Sequence, residues 1–433
     1  MSNGWMRLDN AALIFPVIRR RDWANAFRVS ATLTEPVDPA LLQQAVADLM
    51  PRFPSMYGRL RKGVFWYYLE ELSAPPTVQE DYAFPLTLMQ KKELKRCCLR
   101  ILYFQDRIAV ECFHSLTDGT GGMTYLKTLT ARYLTLKQGI EISPENGVLD
   151  WQEAPRLEEL EDSFSRYTNG ITLKDKEPDA LRLRGSRERF VLHLTTGILP
   201  TAALLETAHS YDATATVFLA AVMAEVILRY QEARCPERKR RKPVKITVPI
   251  NLRQLYGSRT LRNFALTLNP GVDPRMGDYS LRELCRVMAA QLAAEATPQQ
   301  MAGRIAANVT PQQNLLIRAV PLPIKSLIMR IVYRQRGESK GCINLSNLGL
   351  IRLPAEMTPW VRRMDLVIGP QRSYPNNCAV LSYSESTYIS MIRNIQESEL
   401  ERRFFSRLVE LGVPVRIESS NQGCDTRRGR CDR

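Results

Sequence analysis

The chain has 433 residues, 45% of them hydrophobic and 24% charged, with a formal net charge of +15. That composition excludes disorder as the ground state and is long enough for two or three core-bearing domains. Nine cysteines without CxxC or disulfide-framework spacing, and only three histidines, speak against a metal site and for a reducing compartment.

The longest apolar helical stretch, TVFLAAVMAEVILRY, falls short of the roughly 20 residues a bilayer-spanning helix needs and contains Glu225, so no membrane span is expected. The N-terminus lacks the order of basic start, apolar run and small-residue cleavage site of a secretory signal, and a cytoplasmic monomer is expected. The positive charge admits nucleic acid, an anionic membrane surface or a phosphate-bearing cofactor as partner. Its densest clusters are PERKRRKPVK at 236–245 and the tail CDTRRGRCDR. No zinc finger, helix-turn-helix or RNA-recognition signature accompanies them, and nucleic acid is not expected as a partner.

Along the chain, Val29, Ala31 and Leu33 alternate as in a strand, and Asp38 with Pro39 opens a helix carrying Leu41, Leu42, Ala45, Val46 and Leu49 on one face. The runs VFWYYLE, FPLTLM, CCLRILYF and RIAVECF read as neighbouring strands. After SLTDGTGG, the spacing of Met123, Leu126, Leu129, Tyr133 and Leu136 predicts a helix. Residues 151–188 are charged and weakly periodic and read as a crossover linker.

The opening pattern then recurs, with RFVLHLTT as a strand and GILPTAALLETAHSY as a proline-started helix. Further on come the long helix TATVFLAAVMAEVILRYQEA, the strands VKITVPINL, GCINLSNLG, CAVLSYSES and YISMIRN, and a last helix, SELERRFFSRLVELG. The reading is a mixed α/β fold of two related halves, 1–150 and 189–433, joined by the linker.

His114 stands at the C-terminal end of RIAVECF, just before a glycine-rich turn, with Asp118 four residues on. A strand end is rigid and its loop is open, which suits a catalytic group, and a histidine titrates near neutral pH. Asp118 beneath such a loop needs a cation or several backbone N–H groups. Spacing alone fits equally an ordinary strand-end histidine and a helix-capping aspartate. His193 and His209 read as structural. No P-loop occurs, and Cys112 reads as a buried thiol within its strand.

His114, Asp118 and Gly119 form an HxxxDG sequence that resembles the signature of the superfamily of chloramphenicol acetyltransferase, condensation domains of peptide synthetases, wax ester synthases and alcohol acetyltransferases. RLDNAALIFP, VDPALLQQAVADLMPRFP, VPINLRQLYGSRTLRNF and INLSNLG look like that superfamily's successive landmarks, closest to its alcohol acetyltransferase branch.

The resemblance implies two similar halves around a central channel. It implies His114 as general base for direct attack of an acceptor hydroxyl on a thioester. Asp118 would pair with Arg253, and Asn347 would donate to the oxyanion. Where many relatives carry two consecutive histidines, the first is replaced here by Phe113. Acyl-CoA is the implied co-substrate, with a small alcohol or amine as acceptor and no permanently bound cofactor. The alternatives are a condensation enzyme served by an acyl carrier protein and a non-catalytic relative.

Overall fold

The computed structural model describes residues 4–19, 25–168, 171–172, 177–188, 191–337, 339–371 and 374–420. Val29, Ala31 and Leu33 are buried along the strand Ala26–Leu33, and Asp38 caps the helix Pro39–Asp48 by accepting from the N–H groups of Ala40 and Leu41. That strand pairs antiparallel with Arg107–Phe113, so that Ala26 lies opposite Phe113 and the pairing stops one residue short of His114. Leu99–Phe104 and the short Gln79–Glu80 extend the same sheet outward.

On its other edge sits Val361–Ile368, which belongs to the segment expected to form the second half. The reason is burial: Val361, Met364 and Leu366 face the core beneath Ala26–Leu33, so the division at 189 does not hold for this strand. That core also takes in Ile198, Leu381 and Tyr388, which merges the two halves in one apolar region.

The second sheet has eight strands. Its interior strand Ile343–Ile351 runs parallel to both Val244–Asn251 and Asn376–Tyr383, with a register shift between Asn347 and Leu350. Beyond Asn376–Tyr383 follow Ser386–Arg393, His193–Pro200 and Arg416–Ser419, all antiparallel. The helix Ala215–Arg234 is apolar on most of its surface because it packs against Val244–Asn251, Leu281–Glu295 and Glu399–Glu410. Glu225 within it is matched by Arg229 and Arg407. A three-stranded sheet of Trp5–Arg7, Tyr67–Glu71 and Gly58–Lys62 completes the sheets.

Two local expectations are corrected. Residues 84–89, FPLTLM, form no strand: Leu86 adopts φ 61° and its N–H donates to the buried Glu111 carboxylate at 2.6 Å, which takes the segment out of any ladder. Gly197–Leu199 continue the strand His193–Pro200, and the helix starts at Thr201. The helices Leu281–Glu295, Pro298–Gln313 and Leu322–Arg336 were not anticipated from the sequence.

Candidate functional site

The loop after Arg107–Phe113 delivers His114 to the seam between the halves. Its N–H donates to the Asn25 carbonyl at 2.8 Å, its ring stacks on Phe15 at 4.6 Å, and Phe27 packs at a tilt 5.0 Å away. His114 as a whole is half-buried. Burial pushes its pKa below the ordinary histidine value, opposed by the nearby Asp118 carboxylate, Asn263 and backbone carbonyls of the loop. The neutral, proton-accepting form is therefore the one present at neutral pH.

Which nitrogen is free follows from a chain of acceptors. Asn263, from the second half, uses Nδ2 to donate to the His114 carbonyl at 2.9 Å and to the Asp9 carboxylate at 3.0 Å. Its Oδ1 then faces His114 Nδ1 at 3.3 Å and accepts the ring proton. The lone pair is left on Nε2. Asp9 is fully buried, accepts from the Ala12 N–H at 2.7 Å and lies 3.7 Å from Arg262. Burial raises its pKa to about 6 against the pull of Arg262 and Asn263, and it is ionised at pH 7.

The Asp118 carboxylate is bonded to groups other than His114. It caps the helix Gly119–Gln138 by accepting from the Gly121 N–H at 3.2 Å, and its other oxygen accepts from Arg253 Nη1 at 2.8 Å and the Phe264 N–H at 2.9 Å. Burial opposes its ionisation, but the Arg253 charge and these hydrogen bonds hold the carboxyl below its usual range. Arg253 also donates to the carbonyls of Thr260, at 2.7 Å, and Arg262, and to Asn251 Oδ1 at 3.4 Å. One guanidinium thus fastens the turn before Phe264 to the loop of the other half.

The glycines let the loop come this close. A Cβ at Gly121 would lie 2.2 Å from the Leu261 carbonyl oxygen, and one at Gly119 would press on Leu348 at 3.2 Å. Leu348 follows Asn347, so the irregular stretch of Ile343–Ile351 abuts the turn. Asn347 itself donates to Thr216 at 3.0 Å and accepts from the Gly349 N–H at 2.8 Å. His114, Asp118, Gly119 and Arg253 are brought together, and Asn347 is held within the second half beside them.

No family model matches the chain, and no curated protein matches its sequence. Solved structures do match. TRI101 of F. graminearum, crystallised with coenzyme A and T-2 mycotoxin, superposes with a TM-score of 0.64 at 11% identity, over 95% of this chain and 99% of that one. The first condensation domain of the calcium-dependent antibiotic synthetase, with a substrate analogue, gives 0.63 at 14% identity over 95% and 97%. The wax ester synthase/diacylglycerol acyltransferase of Marinobacter aquaeolei gives 0.55 at 13% identity over 94% and 100%. The chain shares the fold of these acyltransferases and condensation domains.

Within this fold, other candidate groups are set aside by their surroundings. Cys112 is fully buried and burial pushes its thiol far above the ordinary range, so it is no nucleophile. His193 is held by Glu188, and His209 lies exposed on a helix. Among the described residues no cluster of ligating side chains could hold a metal ion. A cleft of about 400 Å³ borders the start of the helix after the motif loop, lined among others by Thr120, Gly121, Arg253 and Leu261. Asp9 and Asn263 were missed as site residues. Both lie inside the landmark stretches RLDNAALIFP and TLRNF, but no spacing rule pairs them with His114.

Proposed function

We propose that the chain is an acyltransferase that moves an acyl group from a thioester, acyl-CoA in the first instance, to a small acceptor bearing a hydroxyl or amine. One observation carries the reading: a neutral histidine at the seam of the two halves, its Nδ1 committed to Asn263 and its Nε2 free. In the proposed step, Nε2 takes the acceptor's proton as the acceptor oxygen or nitrogen bonds to the thioester carbonyl carbon. The tetrahedral intermediate then expels the thiolate as the carbon–sulfur bond breaks, and the imidazolium returns the proton to sulfur. General-base assistance of this kind is worth about 10²- to 10⁴-fold.

Asp118 and Arg253 do not touch the reacting atoms in this scheme. They fix the loop that aims the ring. With Cys112 inert, the acyl group passes directly and no acyl-enzyme forms. Thiol release from a series of acyl-CoA esters with a panel of alcohols and amines tests the reading, alongside intact mass after incubation with acyl-CoA alone. Acceptor-dependent thiol release with an unchanged mass is expected. A stoichiometric acyl adduct would replace direct attack with a covalent route.

The likeness to a condensation domain is as close as that to TRI101, which supports a second reading in which a carrier protein presents the acyl group. It predicts turnover with acyl-phosphopantetheinyl carrier and none with acyl-CoA.

A further inference from the structure

The helix Leu322–Arg336 is packed inside out. Ile324, Leu327, Ile328, Ile331 and Val332, at the i, i+3, i+4, i+7, i+8 spacing of one helical face, all point to solvent, with Ile324 55% exposed. Lys325, by contrast, is only 4% exposed. Its ammonium sits 3.4 Å over the Trp66 ring and donates to the Phe65 carbonyl at 3.1 Å and the Arg318 carbonyl at 3.3 Å. The short helix before it, Leu315–Ala319, adds Leu315 and Leu316, the latter 82% exposed.

The patch continues onto the neighbouring hairpin. The Leu322 N–H donates to the Val64 carbonyl at 2.9 Å, and Val64 and Phe65 at the tip are themselves exposed. A contiguous aliphatic surface of this kind on a folded chain marks a contact site.

Its charge says what it contacts. Residues 314–337 hold five basic residues and no acidic one, and Arg318, Arg330 and Arg334 are exposed beside the apolar face, with Lys62 exposed on the hairpin. A second copy would bring like charges together without counter-ions. A protein partner is poorly served by a face of Leu, Ile and Val that offers few hydrogen-bonding side chains. An apolar interior beneath anionic headgroups meets both features at once. We infer that this face docks on an anionic lipid surface, the aliphatic side chains entering the headgroup boundary and the arginines pairing with lipid phosphates. At 15 residues the helix Leu322–Arg336 is shorter than the roughly 20 a bilayer-spanning helix needs, so on such a surface it lies in the plane.

The docking face bears on the candidate site. Arg330 Nε donates to the Val17 carbonyl at 2.8 Å, and the helix packs on Ile14–Ile18, the segment whose Phe15 stacks on His114. Lipid docking therefore rests on the element that holds the imidazole, independently of which reaction His114 serves.

Flotation with the intact chain and vesicles of phosphatidylcholine alone, or with about 30% phosphatidylglycerol, tests the inference. The expected result is at least about tenfold stronger binding to the anionic vesicles, weakening as salt is raised. Leu327→Glu/Ile331→Glu should abolish binding and Arg318→Glu/Arg334→Glu should remove the preference for anionic lipid, with melting temperatures unchanged because all four positions are exposed. Absence of binding to either vesicle, or binding undiminished in these variants, would overturn it. So would a concentration-dependent dimer in sedimentation velocity that the Leu327→Glu/Ile331→Glu change dissolves, which would assign the face to a second copy.

Discussion

At the scale of single residues, Asp9 decides more than its distance from the reaction suggests. It orients the Asn263 amide, and Asn263 in turn holds the proton on His114 Nδ1. Asp9→Asn places a donor against the Asn263 Nδ2 donor, so the amide is driven to turn and the ring to keep its proton on Nε2. Turnover is expected to fall at least about tenfold with little change in KM, because only the orientation of the base is lost.

Stability moves differently. The folded pKa of Asp9 is raised to about 6 above an unfolded value near 3.8, so its contribution is fully present below the unfolded value and is lost as pH rises through about 6. Neutralising it should leave the melting temperature at pH 8 unchanged or higher. A parallel loss of activity and stability there would make Asp9 merely structural. The His114 shift gives a second residue-scale expectation. With its pKa below 6.5, kcat/KM should stay flat down to that pH and fall only below it, as protonation removes the base. An apparent acidic-limb pKa above 7 would contradict the described environment.

At the scale of elements, the motif loop and the turn 252–264 act as one unit through Asp118 and Arg253, both about 10% exposed. Removing either partner strands the other in a buried position, at a cost of roughly 3 to 5 kcal/mol, and the double mutant should lose much less than the sum. Arg253→Lys should not restore stability, since one ammonium cannot reach Asp118 and the Thr260 and Arg262 carbonyls together. Because the Asp118 pKa is depressed, this stabilisation is present above the ordinary carboxylate range and is lost as pH falls through the lower folded value. Additive effects in the cycle, read from chemical denaturation, would dissolve the unit.

This pair could be read from the sequence because it belongs to a motif resemblance, although its partners lie 135 positions apart. The strand Val361–Ile368 could not. Arg362, Arg363 and Asp365 interrupt its apolar alternation, and a register shift after Val361 breaks the period. The Arg363–Asp365 ion pair that makes those charges tolerable in the sheet is visible only in three dimensions. Phe84–Met89 failed in the opposite direction. Its apolar pattern was strand-like, but Glu111 captured its backbone donor. Asp9 and Asn263 are ordinary residues until the two halves close around them.

At the scale of the whole molecule, the halves are interlocked. Val361–Ile368 covers the edge of Ala26–Leu33, and second-half side chains fill part of the first core. Without them residues 1–150 would expose an unpaired edge and a row of apolar side chains. That fragment alone should show no cooperative melt, and co-expression with 151–433 should restore one. A fragment that unfolds cooperatively in isolation would show the halves to be independent. Interlocking also explains how a base from one half can be oriented by an amide from the other, since His114 and Asn263 keep their relation only if the seam is rigid.

The measurement that bears most directly on the proposed activity is the turnover of His114→Ala with the acyl donor and acceptor that the wild-type chain uses best. A fall of at least about 10²-fold in thiol release, with matching circular dichroism and melting temperature, is the predicted result. Turnover equal to that of the wild-type chain would remove His114 from the chemistry and the proposed reaction with it.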